Sequence, residues 1–79
     1  MAQVRYFVFS HGVDWLVTLD GQLVGRHPER AAAVSSAVIM ADLMGSMRHD
    51  ADVMIENDGQ LALTWTYGTD PSPVVERAA

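Results

Sequence analysis

Pro28-Glu29-Arg30-Ala31-Ala32-Ala33-Val34-Ser35-Ser36-Ala37-Val38-Ile39-Met40-Ala41-Asp42-Leu43-Met44-Gly45-Ser46-Met47-Arg48 is the stretch that decides the fold. It reads as one helix with strand-like sequence on either side. Pro28 suits the first helical position, where its missing N–H costs nothing. Glu29 then falls in the first turn, against the positive end of the helix dipole, and His27 stands at the N-cap. The interior is rich in Ala, Leu and Met, which are strong helix formers. At about 100° per residue, Ala33, Ala37, Met40, Ala41, Met44 and Met47 share one face, and Ser35, Asp42, Ser46 and His49 share the opposite one. Small alanines let a helix lie close to a sheet, and methionines fill irregular gaps. A Met-lined groove for a cofactor or partner is the sharper reading of this stripe, and ordinary core is the simpler one. Ile39 breaks the pattern from the middle of the polar face, flanked by Val38 and Leu43, which suits a subunit contact. Gly45 and the His49-Asp50 pair are expected to loosen the helix end.

Working outward, residues 4–10 form a strand of sheet-favouring residues that is apolar on both faces, with Val4, Tyr6 and Val8 on one and Phe7 and Phe9 on the other. A turn at residues 11–14 leads to a second strand, residues 15–19. There Trp15, Val17 and Leu19 oppose Leu16 and Thr18. Asp20-Gly21 is a hairpin signal because both residue types tolerate positive φ. Residues 22–26 make a short third strand, weakened by Gly25. After the helix, residues 51–56 are the fourth strand, Asn57-Asp58-Gly59 is a second tight turn, and residues 60–67 are the fifth. In that last strand Leu61, Leu63, Trp65 and Tyr67 alternate with Ala62, Thr64 and Thr66, the pattern of a half-buried strand. Pro71 and Pro73 cannot continue a ladder, so residues 71–79 are expected to be a loose tail on a core of residues 4–70.

The expected architecture is α+β: a small antiparallel sheet in the order β-β-β-α-β-β, with one long helix on one face. The helix covers only that face. The other would carry Phe7, Phe9, Leu16 and Met54 among Arg5, Thr18, Glu56, Thr64 and Thr66.

At 79 residues the chain is one domain with a modest core, and it has no cysteine to staple that core or to act as a nucleophile or thiolate ligand. Its composition is 49% hydrophobic, too high for a disordered chain. Ten acidic residues against five basic ones give a formal charge of −5, and every cation is an Arg (Arg5, Arg26, Arg30, Arg48 and Arg77), scattered along the chain. Tracking a phosphate backbone or an anionic membrane needs clustered positive charge. No signal-peptide layout and no run near the roughly 20 apolar residues of a bilayer span occur, so a soluble cytoplasmic protein is expected.

Trp15-Leu16-Val17, the helix beginning near His27-Pro28-Glu29 with Ala33 and Ala37, Asp58-Gly59, and Tyr67-Gly68-Thr69-Asp70-Pro71-Ser72-Pro73 stand in an order and spacing that resemble the small bacterial domain of unknown function numbered 2188. That family shows a Trp-x-Val strand, a Thr-led helix with recurrent alanines, an Asp-Gly turn and a Tyr-Gly-x-Asp-Pro ending. The resemblance spans nearly the whole chain and implies the same sheet-and-helix fold, with no established activity and no functional residues to carry over. This chain departs from the family in having no Lys, and in placing His27-Pro28 where a Thr cap is usual.

Three functional readings follow. The leading one is a non-enzymatic interaction domain, a homodimer or the partner of another protein, without a cofactor; its interface candidates are Phe7, Phe9 and Leu16 on the sheet and Ile39 and Leu43 on the helix. The second is nucleic-acid binding through the sheet face, with Trp15, Trp65 and Tyr67 as stacking platforms; the net charge counts against it. The third is an enzyme or metal site at His49, Asp50 and Asp52, joined to His11 or His27. A His after a helix C-terminus is favoured electrostatically without any metal, and no zinc or calcium spacing is present. The alternative to a dimer is a monomer whose outer face is covered by the tail.

Overall fold

The computed structural model describes residues 3–70, and the expected tail lies outside them. Five strands and one helix follow each other as β1 (Gln3–His11), β2 (Asp14–Leu19), β3 (Gln22–His27), α1 (Arg30–Ser46), β4 (Asp50–Asn57) and β5 (Gln60–Thr66). They form an α+β fold with the helix packed on one face of a single sheet, in the spatial order β3-β2-β1-β4-β5.

The sheet is mixed rather than wholly antiparallel, because β1 and β4 pair in parallel while the other three pairings are antiparallel. The helix is the reason. Two hairpins return β3 to the direction of β1, α1 carries the chain back across the sheet, and β4 starts from the end at which β1 starts. At the two Asp-Gly turns, Asp20 and Gly21 have φ of 53° and 79°, and Asp58 and Gly59 have 53° and 82°. Positive φ at both central residues is what a type I′ hairpin turn requires.

The core lies between the helix and the inner face of the sheet. It is built from Val4, Tyr6 and Val8 of β1, Val17 of β2, Ala51, Val53 and Ile55 of β4, Trp65 of β5, and Ala33, Ala37 and Ala41 of the helix. Met40 and Met44 pack against this cluster as expected, whereas Met47, one turn later, is more than half exposed. The stripe of small residues continues into Gly45 instead. A side chain there would collide with the ring of Tyr67. Gly45 therefore does not loosen the helix; it is the seat on which Tyr67 rests.

The helix begins later than the sequence suggests. Glu29 is the N-cap, extended at φ −130° and ψ 147° with no side-chain hydrogen bond; His27 is the last residue of β3, and Pro28 precedes the cap instead of opening the helix. The helix ends at Ser46 in a Schellman closure: Arg48 N–H donates to the Gly45 carbonyl at 3.0 Å and His49 N–H to the Met44 carbonyl at 3.3 Å. Arg48 takes the left-handed conformation, φ 72°, that glycine usually occupies there.

Candidate interaction surface

The outer face of the sheet is built by the residues that alternate with the core. Along β1 these are Arg5, Phe7 and Phe9; along β2, Leu16 and Thr18; along β4, Asp52, Met54 and Glu56. Phe7, Phe9, Leu16 and Met54 lie there as the strand alternation predicts. None is fully buried, because the helix occupies the other face.

Two β-bulges enlarge this surface. On β5 the register passes from Val53–Trp65 to Met54–Leu63, leaving Thr64 as the extra residue. A bulge exchanges the faces on either side of it. Trp65 stays in the core opposite Val53, but Leu61 and Leu63 turn outward beside Glu56 and Met54, and Ala62 turns inward beside Ile55. The single alternating face expected for Leu61, Leu63 and Trp65 is thus divided in two, and Thr64 is the bulge rather than a regular outer-face position. On β3 the register passes from Val17–Gly25 to Thr18–Leu23, leaving Val24 as the extra residue and setting Leu23 on the outer face. Leu23 and Leu63 are each 56% exposed.

Tracing the partners across the sheet gives one continuous row: Leu23 on β3, Thr18 on β2, Phe7 on β1, Met54 on β4 and Leu63 on β5. Beside it lie Leu16, Phe9 and Leu61. Largely apolar surface, broken by Thr18 and Glu56, therefore runs from one edge of the sheet to the other with no element over it among the described residues.

Polar groups stand at the margins of this patch, and Glu56 stands within it between Phe9 and Leu61. Arg5 donates from Nε to Asp52 Oδ1 at 2.8 Å and from Nη2 to Oδ2 at 3.0 Å, and Gln3 adds a bond to Oδ2 at 3.3 Å. Asp52 is only 6% exposed, although it lies on the open face. The hydrogen bond and charge of Asp52 hold the Arg5 guanidinium above its ordinary pKa. At the opposite corner Arg26 Nε meets Asp14 Oδ2 at 3.4 Å. Glu56 Oε1 accepts from both the backbone N–H and the hydroxyl of Ser10, at 2.8 and 3.1 Å. An apolar centre with a polar rim is the general anatomy of a protein–protein interface.

The helix-borne candidates are also at the surface, Ile39 at 49% and Leu43 at 59% exposed. They form a narrow ridge on the far side of the molecule from the sheet face. The two groups of interface candidates are thus separated by the whole thickness of the core.

His49, Asp50 and Asp52 are not gathered into one site. Asp50 and Asp52 share the outer face of β4, but both Asp52 oxygens are engaged by Arg5 and Gln3. His49 sits in the helix–strand connection with Nδ1 buried and without a hydrogen-bond partner. Among the described residues no three His, Asp or Glu side chains converge on a point where a cation would sit. Of the three aromatic residues read as stacking platforms, Trp15 and Trp65 face inward, while Tyr67 rests on Gly45 and stays 39% exposed. Trp65 is buried, and Trp15 packs against the core with the Arg30 guanidinium 6.0 Å from its ring centre.

Leu23, Leu61 and Leu63 are the surface residues that sequence reasoning did not place. Gly25 inside a strand was the one mark of a bulge on β3; β5 carries no such mark. Comparison with family models, curated proteins and solved structures returned no match to this chain. No helix among the described residues is long and apolar enough to cross a membrane.

Proposed function

We propose that this chain is a non-enzymatic, cytoplasmic interaction domain that forms a homodimer through the outer face of its sheet. The observation that carries this reading is the row Leu23–Thr18–Phe7–Met54–Leu63, apolar but for Thr18 and without an element over it among the described residues. Soluble monomers seldom expose a contiguous apolar patch beyond a few hundred Å². Five strands about 4.8 Å apart and some six residues long give a face on the order of 450 Å² in projection. That is close to the roughly 600 Å² per partner at which specific dimers begin. The bulges favour face-to-face association over strand addition, since a bulged edge is a poor template for another strand. The resemblance to the domain of unknown function 2188 belongs to the same proposal and adds no activity to it.

The sheet face is preferred to the Ile39–Leu43 ridge because it offers a broad flat area where the ridge offers a single line of side chains. An NMR dilution series separates them. Concentration-dependent shifts are expected at Phe7, Met54, Leu61 and Leu63, with Ile39 and Leu43 unmoved. Shifts confined to the helix ridge would overturn the assignment.

A further inference from the structure

The outer face also carries information on how a second copy would sit. We infer that the two copies pack face to face about a two-fold axis lying over β1 and parallel to it, with Arg26 of each copy reaching Glu56 of the other. This rests on the dimer reading above and specifies its register.

The symmetry of the face is the first argument. β1 is the middle strand of five, and the row that crosses it at Phe7 ends in an outward leucine at either edge. Rotation by 180° about β1 brings β3 of one copy over β5 of the other, and β2 over β4. Leu23 then lies over Leu63, Thr18 over Met54, and Phe7 over Phe7, because all of them belong to one row. The bulges that turn Leu23 and Leu63 outward flank that same row on opposite edges. An isologous contact requires a patch that is complementary to itself. This axis supplies that condition, whereas an axis across the strands would set Phe9 near the Arg5–Asp52 pair.

Charge is the second argument. Arg26 pairs with Leu16, which pairs with Phe9; Glu56 pairs with Leu61 and follows Ile55, the partner of Val8. Arg26 and Glu56 therefore occupy the same level of the sheet on opposite sides of β1. The rotation places Arg26 over Leu61 of the second copy, offset sideways from its Glu56 by one strand spacing, about 4.8 Å, across a sheet separation of about 10 Å that the two long side chains span. Both groups have capacity to spare. Arg26 is held by one long contact from Nε, and its side chain is 64% exposed. Both bonds to Glu56 fall on Oε1. The same axis makes two such pairs, one at each side of the apolar patch, where rim charges fix register.

The test is a charge exchange, read as the dimer dissociation constant by sedimentation, with circular dichroism to verify the fold. Arg26→Glu and Glu56→Arg are each expected to weaken the dimer at least about tenfold at low salt, and the double variant to return within about threefold of the native chain. Because Arg26→Glu also faces its own Asp14, Arg26→Gln serves as a second variant and should weaken the dimer in a salt-dependent way. A double variant as weak as the singles, in a chain whose dimer Phe7→Asp abolishes, would overturn the register while leaving the sheet-face dimer standing. A native chain that sediments as a monomer at all concentrations would overturn both.

Discussion

The two faces of this sheet carry similar apolar residues and are covered differently. The inner face, from Val4 and Val8 through Val53 and Ile55 to Trp65, is closed by a helix whose Ala33, Ala37, Ala41 and Gly45 stripe allows close approach. The outer face, from Leu23 through Phe7 and Met54 to Leu63, has no helix or strand over it among the described residues; its edge leucines are exposed, and Phe7 and Met54 are half-buried among their neighbours. Apolar burial stabilises a fold only where something covers it, at roughly 25 cal/mol per Å². Composition cannot separate these faces; coverage does. Inner-face substitutions should therefore act on folding and outer-face substitutions on association.

The sharpest contrast is between neighbours on β4. Ile55→Ala should cost about 2–5 kcal/mol of folding stability, a large part of the roughly 4–12 kcal/mol expected of a chain this size. Met54→Ala, one residue away on the open face, should change monomer stability by less than about 1 kcal/mol and weaken the dimer instead. Urea unfolding at low protein concentration, combined with sedimentation, reads both. Equal losses of folding stability would erase the distinction.

Gly45→Ala probes how closely the inner face is closed. In an open helix this change gains about 1 kcal/mol. Here the new Cβ meets the Tyr67 ring, so a net loss of about 1–3 kcal/mol is expected. The loss should shrink in a Tyr67→Ala background, as a double-mutant cycle would record.

Arg48→Gly concerns neither face and should stabilise by about 1 kcal/mol, because it relieves a left-handed residue at the helix end. The midpoint of urea unfolding measures it.

The smallest expected effect is at alkaline pH. Burial raises the Tyr6 pKa above its ordinary value. The folded state then holds its proton to higher pH than the unfolded chain does. This contribution to stability is whole below about pH 10, the unfolded value, and is lost as pH rises through the folded one. Tyr6→Phe should flatten the decline of stability above that pH, as denaturant titrations across the range would reveal.

Much of the architecture is legible in the residues. The Ala- and Met-rich run gives the helix, Asp20-Gly21 and Asp58-Gly59 give the hairpins, and strand alternation puts Phe7, Phe9 and Leu16 opposite the helix. Other features depend on what a linear pattern does not record. The parallel β1–β4 pairing depends on where the crossover lands. The β5 bulge at Thr64 interrupts an alternation that looks unbroken, and only the pairing with Val53 and Met54 reveals that Leu63 and Trp65 face opposite ways. Gly45 reads as a helix breaker until Tyr67 is placed over it. His49, Asp50 and Asp52 are neighbours in sequence, but a strand and a competing Arg5 keep them from acting as one group.

The most direct test of the central claim is the molar mass in solution, measured by light scattering across a concentration series for the native chain and for Phe7→Asp. The sheet-face dimer predicts a native mass rising to twice the 8.6 kDa of one chain, and a folded Phe7→Asp variant that stays at the single-chain mass throughout. A native chain that remains at 8.6 kDa at every concentration, or a Phe7→Asp variant that dimerises as the native chain does, would contradict it.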